Sequence, residues 1–510
     1  MKKESGATLS VWMNHLKLPN TQHLRENLTC DVCVVGAGIA GLTTAYLLSK
    51  EGKRVVVLDS KEIGGGETSR TTAHLSNALD DMYYRLIKLF GTNGARLACQ
   101  SHAAAIDKIE QIATDENIDC DFARVDGYQF ANNRSQEEEL LKELEALQQI
   151  GWDDVVLRKE SPLDMLSALP CLHYPNQGRM HAMKYLAGLA KAVLDNGGQI
   201  YTHSHVSDFQ LGTLATAVTT EGYAVTANHL VVATNTPVND RFAIHTKQAP
   251  YRTYAIGVQI PKDSVPDALY WDLDDPYHYV RLQKNTTAEE EFDLLIVGGE
   301  DHKTGQHGHP IECFQNLERW TRLKFPMAQG LLYNWSGQVF EPTDSLAYIG
   351  RNPGDNDNVY IATGDSGHGM THGTIAGMLL TDLIMERPNP WAKLYDPNRV
   401  NLKSAGTYIK ENLNVAAQMK DHVTPGEVED PMQVMPGTGR IMRKGNSKVA
   451  VYCDQDGVRY QCSAVCPHMG CVVSWNSVES SWDCPCHGSR FDPFGKVITG
   501  PTKHDLGPAS

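Results

Sequence analysis

At 510 residues, with 41% hydrophobic and 21% charged side chains, the chain exceeds one small domain and can bury real cores, so two or three compact units are expected. A formal net charge of −15 argues against a nucleic-acid partner, which would call for a basic face. No apolar run approaches the roughly 18 residues of a bilayer span, and the opening MKKESGATLSVWMNHLKLPN has no apolar leader stretch; a soluble, cytoplasmic protein is expected.

The first element is CDVCVVGAGIAGLTTAYLLSKEGKRVVVLDS. A buried strand through Val32, Val34 and Val35 runs into GAGIAG, a helix carries Leu42, Ala45, Leu47 and Leu48, and a second strand, Val55 to Leu58, ends at Asp59. Gly36, Gly38 and Gly41 form GxGxxG: a tight turn, close approach to a pyrophosphate, and close packing of helix on strand. The pyrophosphate then meets free N–H groups at the helix N-terminus, and Asp59 is placed to accept hydrogen bonds from an adenosine ribose. Strand, helix, second strand and terminal acid together predict nucleotide binding. Cys30 and Cys33 flank the first strand instead of opening a helix, so packing explains them better than redox chemistry.

The polar turn GGGETSRTTAHLSN follows, with Ser69, Arg70, Thr71 and Thr72 suited to the ribityl chain of an extended cofactor. His74 just beyond it reads as a hydrogen-bonding histidine, with a covalent flavin tether as the alternative. Helical periodicity covers about 80 to 149, and QEEELLKELEALQQIG is a solvated amphipathic helix closed by Gly151. Strands return at HLVVAT, YAIGVQI, HYVRL and DLLIVGG. In YWDLDDPYHYVRL, Tyr277, Tyr279 and Arg281 share a face by period two; Tyr279 and Arg281 are candidates to clamp a substrate carboxylate, against a structural ion pair. EDHKTG, after the strand at Val297, is distinctive but suggests no mechanism.

YIATGDSGHGMTHGTIAG again supplies strand, glycine turn and helix start. Gly364 and Asp365 are expected near the ribityl or phosphate groups, and the N–H groups of Gly369, Met370 and Thr371 near a flavin's pyrimidine edge, where a helix N-terminus stabilises developing negative charge. These segments favour FAD over NAD, and Val206 is expected among the cofactor contacts. The proline-bearing ERPNPWAKLYDPNRV marks the exit from this unit, a helix spans about 402 to 419, and TPGEVEDPMQVMPGTG reads as a linker.

Six of the twelve cysteines scatter over the first 400 residues and six lie between Cys453 and Cys486, which suits reduced thiols followed by a metal module. Residues 466–489 hold Cys466-x-His468 and Cys484-x-x-His487, with Cys471 and Cys486 interleaved. A zinc finger would pair like with like. One Cys and one His per loop matches a cluster with one iron on two thiolates and the other on two imidazoles, with zinc as the alternative.

Residues of about 10 to 390 resemble the D-amino acid oxidase and glycine oxidase flavoproteins, through VWMNHL, the glycine fingerprint, SRTTAHL, LVVAT and GDSGHGM. The resemblance implies oxidation of the C–N bond of an amine or amino acid by hydride transfer to FAD. It also implies an α/β Rossmann-type FAD-binding domain with an α+β substrate domain. Within residues 1–395 the FAD-binding part would take about 28–87, 166–244 and 336–395, and the substrate part 88–165 and 245–335. Residues 396–436 would be a helical linker acting as a tether, and 437–510 a small all-β domain.

That last domain resembles the Rieske proteins of respiratory and photosynthetic quinol complexes, through CPHMGC, CPCHGS and FDPFGKVITGP. The likeness implies a 2Fe-2S cluster on Cys466, His468, Cys484 and His487, a Cys471–Cys486 disulfide, and a Gly-Pro covering the cluster. It also implies a cluster-directed hydrogen bond from Ser489, while Phe491 stands where high-potential relatives carry a tyrosine. The expected function is oxidation of an amine or amino acid by FAD, with electrons leaving through the cluster to an acceptor protein or quinone. The alternatives are a reductase running the current backwards and a redox sensor without turnover. An NAD(P)H-driven ferredoxin reductase lacks support, since no second GxGxxG is present.

Overall fold

The computed structural model describes residues 5–14, 16–163, 166, 169–239, 243–284, 292–306 and 308–509. An eight-stranded sheet is built on the Val-rich run Leu28–Val35, which pairs in parallel with Val55–Leu58 on one side and Ala224–Val232 on the other. Val359–Thr363 joins Ala224–Val232 in parallel, Gln199–Tyr201 joins Val55–Leu58, and Tyr348–Arg351 closes one edge antiparallel. Val55–Leu58 and Val359–Thr363 are buried at every position, the signature of a parallel sheet covered on both faces. The helices Ile39–Lys50 and Gly369–Ile384 start beside one another at the C-terminal ends of Leu28–Val35 and Val359–Thr363. Such strand ends are where ligands bind in open α/β sheets.

A nine-stranded mixed sheet stands over these strand ends, in the order Leu331–Pro342, Gln248–Pro261, Phe292–Lys303, His278–Gln283, Ala268–Trp271, Ala123–Phe130, Cys171–Arg179 and His74–Leu75. Val156–Arg158 pairs with Cys171–Arg179 off this path. The expected division of the chain is corrected here. Cys171–Arg179 and His74–Leu75 were assigned to the FAD-binding part, yet Cys171–Arg179 pairs with Ala123–Phe130, and His74–Leu75 with Cys171–Arg179. Helix Tyr83–Asp115 is broken at Gly91, whose φ of 74° and ψ of 170° are not helical. Helix Arg134–Ile150 is capped by Asn133, which accepts from Gln136 N–H, and ends at the left-handed Gly151.

Two small antiparallel sheets form the C-terminal unit: Thr438–Lys444, Ser447–Cys453 and Arg459–Ser463, and Ser474–Asn476, Ser481–Asp483, Arg490–Phe491 and Val497–Thr499. Its start lies before 437, because Val428 already bridges to Met442. The preceding segment is a strap, not a free tether. In helix Ala405–Gln418, Glu411 pairs with Lys303, and Asn412 Nδ2 donates to Thr246 O at 2.9 Å. Val415 and Met419 pack against the apolar cluster that surrounds Cys466 and Cys484, and His422 Nε2 lies 2.6 Å from Gly470 O. No helix among the described residues is long and apolar enough to cross a membrane.

Candidate cofactor cavity and cluster site

A cavity of about 900 Å³ runs between the strand ends and the mixed sheet. Its nucleotide end is made by backbone. Gly36 has φ of 113°, and a Cβ there would strike the carbonyl of Ala233; a Cβ on Gly41 would strike the carbonyl of Gly36. Both glycines are therefore needed to form the cradle itself, before any ligand is considered. Asp59 braces it, accepting from Ala37 N–H at 2.6 Å and Lys61 N–H at 2.8 Å. Thr68 Oγ1 accepts from Ile39 N–H at 3.1 Å, which ties the polar turn to the helix start. The open approach over Gly36 and Gly38 and the hydroxyl-lined turn fit an FAD pyrophosphate and ribityl chain.

Most of the residues anticipated as cofactor contacts lie on this wall: Gly36, Gly38, Asp59, Arg70, Thr71, Thr72, Val206, Asp365, Gly369 and Met370. Four do not. Gly41 packs behind the turn, Gly364 abuts Pro342 and Gln248, and Ser69 Oγ turns back to Gly66 O at 3.0 Å. Thr371 Oγ1 faces His102 Nδ1 at 2.8 Å. His372 Nδ1 lies 2.8 Å from Asp365 O, where it must donate, so its Nε2 accepts across 3.2 Å from His102. Thr371 thus serves a buried histidine pair of which His372, but not His102, reaches the cavity wall.

At the mixed-sheet end, Tyr279 OH and Thr253 Oγ1 lie 2.9 Å apart, and the Tyr279 ring stands edge-on to His74 at 5.3 Å. Tyr277, Asp80, His368 and Asp301 complete this end. Burial raises the Asp301 carboxyl to about 7, and its Oδ1 has no hydrogen-bond partner. His368 resists charging through burial, but Asp80 outweighs that and raises it. Arg281 is a correction. Its face parity with Tyr279 was right, but its guanidinium donates to Ala73 O at 3.0 Å and Met180 O at 2.9 Å and lies 5.3 Å from the Trp12 ring centre. It pins the backbone of the cofactor turn and does not line the cavity, so it is not a carboxylate clamp.

In the C-terminal unit, the Cys466 and Cys484 thiols and the His468 and His487 rings converge from two loops joined by the Cys471–Cys486 disulfide. The two imidazoles are 5.0 Å apart at 89°. A hydrogen bond from Cys484 lowers the Cys466 thiol and correspondingly raises that of Cys484; the Ser489 hydroxyl bonds Cys466 as well. Burial, with His468 and His245 nearby, pushes His487 down to about 3. Its Nδ1 is buried with no protein partner, the condition that a metal satisfies. Two thiols and two imidazoles, one of each per loop, fit a 2Fe-2S cluster of mixed ligation. Cys471, Cys484 and Cys486 also lie close together, but the disulfide leaves only Cys484 a thiolate to give.

The cluster site faces the flavoenzyme half. His245 stands edge-on to His468 at 4.8 Å and to His487 at 6.2 Å. Gln338, on the cavity wall, donates from Nε2 to Gly488 O at 2.9 Å, within the cluster loop. Beneath this contact Glu479 pairs with Arg70 at 3.0 Å, and Asp483 with Arg490 at 3.1 Å and Arg252 at 3.8 Å, all fully buried. The segment EDHKTG now has a physical account. Asp301 enters the cavity, Lys303 holds the strap, Thr304 Oγ1 donates to Gln338 at 3.2 Å, and Gly305 leaves room for the backbone of Asp483 and Pro485.

Comparison with known proteins finds a family for each of the two units. Residues 31–383 match the FAD dependent oxidoreductase family, and residues 426–508 the Rieske [2Fe-2S] domain. A Rieske 2Fe-2S iron-sulfur protein of Bacillus subtilis, YhfW, is 30% identical over 98% of this chain and 96% of its own. Gamma-glutamylputrescine oxidoreductase of Escherichia coli is 29% identical over 71% of this chain and 85% of its own. Glycine oxidase of Geobacillus kaustophilus shares the fold, with a TM-score of 0.58 at 19% identity, covering 73% of this chain and 100% of its own.

Proposed function

Because the chain belongs to the FAD dependent oxidoreductase family and ends in a Rieske [2Fe-2S] domain, we propose that it oxidises the C–N bond of a small amine or amino acid and passes the electrons out through the cluster to a one-electron acceptor, a protein or a quinone. Bound FAD supplies a two-electron acceptor and the 2Fe-2S cluster a one-electron carrier. Tyr279 and Thr253 orient the substrate at the mixed-sheet end. Asp301 Oδ1, with its carboxyl near 7, takes a proton from the substrate ammonium, leaving the neutral amine that C–N oxidation requires. The apolar wall of Trp271 and Leu269 keeps water from that end.

One observation carries the reading: Gln338 belongs to the cavity wall and also holds the cluster loop at Gly488. The relatives' names, a gamma-glutamylputrescine oxidoreductase and a glycine oxidase, support an amine or amino-acid substrate. The test is anaerobic mixing with a panel of amines and amino acids, following flavin absorbance and the cluster's EPR signal. Flavin bleaching followed by a cluster signal, with no mediator added, is expected for some member. A silent panel, with the flavin reduced instead by a donor protein through the cluster, would overturn the direction proposed.

A further inference from the structure

Val497, Ile498, Thr499, Gly500, Thr502 and Lys503 belong to the Rieske domain, yet all six lie on the wall of the cofactor cavity. They sit at its nucleotide end. His205 Nε2 lies 3.2 Å from Lys503 O, the Lys503 ammonium is 5.4 Å from the centre of the Phe209 ring, and a Cβ on Gly500 would come within 2.8 Å of Val238. Ser204, the neighbour of His205, donates its N–H to Asp59 O at 2.7 Å, which places the run beside the acid that ends the second nucleotide strand. The same run reaches the cluster site. Thr502 N–H donates to Ser489 Oγ at 3.3 Å, Ser489 O accepts from Cys484 N–H at 2.8 Å, and the Ser489 hydroxyl bonds Cys466.

We infer that residues 497–503 are part of the FAD site: the Rieske domain closes the nucleotide end of the cavity, and the two cofactors are coupled through Thr502 and Ser489. The inference rests on the reading that this cavity holds FAD. Ile498 and the Lys503 stem cover apolar ligand surface that would otherwise face water, so their contacts favour bound over free cofactor. Whatever fixes the run on one side fixes Ser489 on the other. By linkage, FAD must then affect the cluster site as much as the cluster site affects FAD.

The test uses the full chain with its cluster loaded, verified by iron content. FAD is stripped and titrated back, with quenching of flavin fluorescence as the readout. Ile498→Ala should weaken FAD binding roughly tenfold, about 1.4 kcal/mol. Lys503→Ala, at the rim, should weaken it less, and it serves alone if Ile498→Ala fails to load the cluster. In the wild type, restoring FAD should shift the cluster's EPR g-values. Gly36→Val is the control: FAD affinity unchanged in that variant would overturn the assignment of the cavity itself, and the inference with it. Wild-type affinity in the wall variants, with Gly36→Val defective, would overturn the shared wall while leaving the cavity assigned. Identical EPR spectra with and without FAD would overturn the coupling.

Discussion

Arg70 and Glu479 meet at 3.0 Å with side chains at most 1% exposed, across 409 residues of sequence. Arg70 belongs to the turn that lines the cofactor cavity, and Glu479 to the Rieske domain. Burial alone would raise the Glu479 carboxyl, but Arg70, Arg252 and Arg490 outweigh it and hold it at about 2. Asp483 is held below its ordinary value in the same way, chiefly by Arg490 and then Arg252 against burial. A charge network this dry is an expensive way to join two domains, since each buried charge depends on the opposite charges the other domain brings.

Removing one partner should therefore be costly. Glu479→Gln leaves Arg70 and Arg252 without a full counter-charge, and a loss of about 3–5 kcal/mol is expected, measured by urea unfolding and by proteolytic release of the Rieske domain. The pH dependence has a definite sign. The folded carboxyl titrates below the ordinary 4.5, so its stabilisation is complete above about 4.5 and is lost as pH falls towards 2. The variant should lack this acid-side dependence. Equal acid sensitivity in both proteins would assign the loss to other groups.

Tyr279 and Arg281 should separate cleanly. Tyr279→Phe removes a hydroxyl from the cavity while leaving the sheet intact, so kcat or KM should change at an unchanged melting temperature. Arg281→Met strips the donors from Ala73 O and Met180 O in a buried site, and should cost about 2–4 kcal/mol together with FAD retention. A raised KM at full stability in Arg281→Met would restore it as a substrate ligand.

These two residues also show how far the sequence could be read. Strand period two placed Tyr279 and Arg281 on one face correctly, because parity is local. That Arg281 reaches Ala73 O and Met180 O was not legible, since both acceptors lie more than 100 positions away. The glycine fingerprint, Asp59 and the paired Cys/His loops were legible because a few adjacent residues carry the whole backbone requirement. Asp301, Gln338 and Glu479 were missed because each acquires meaning only where two distant segments meet. The distinctive EDHKTG was the available signal, and docking explains it. Assigning Cys171–Arg179 to the FAD-binding part failed because a strand's own composition does not name its partner.

A chain ending at Gln418 tests the strap against a free tether. A tethered module could be removed with the FAD site intact. Here the cut would take away both acids of the buried network and the run 497–503 on the cavity wall. The truncated protein should aggregate or hold FAD at least tenfold more weakly, as read by flavin content after gel filtration. A stable, fully yellow fragment would mean that the domain contact contributes little to either half.

Ser489 and Phe491 should set the cluster's potential in opposite directions. The Ser489 hydroxyl bonds Cys466, and a hydrogen bond to a ligand sulfur favours the reduced, more negative cluster. At about 1 kcal/mol for such a bond, and about 59 mV per tenfold for one electron, Ser489→Ala should lower the potential by roughly 40–60 mV. It should also release Thr502 N–H, which Ser489 Oγ accepts at 3.3 Å, so some loss of FAD affinity is expected with it. Phe491 is fully buried, opposite Trp482 in its strand pair. A hydroxyl added there must find an acceptor or cost about 1–3 kcal/mol, and a ligand sulfur is the acceptor that would raise the potential. Redox titration of both variants, followed by EPR, decides the matter. A potential unmoved in Phe491→Tyr, with stability lost, would show that the ring points away from the ligands and that Ser489 alone tunes this cluster.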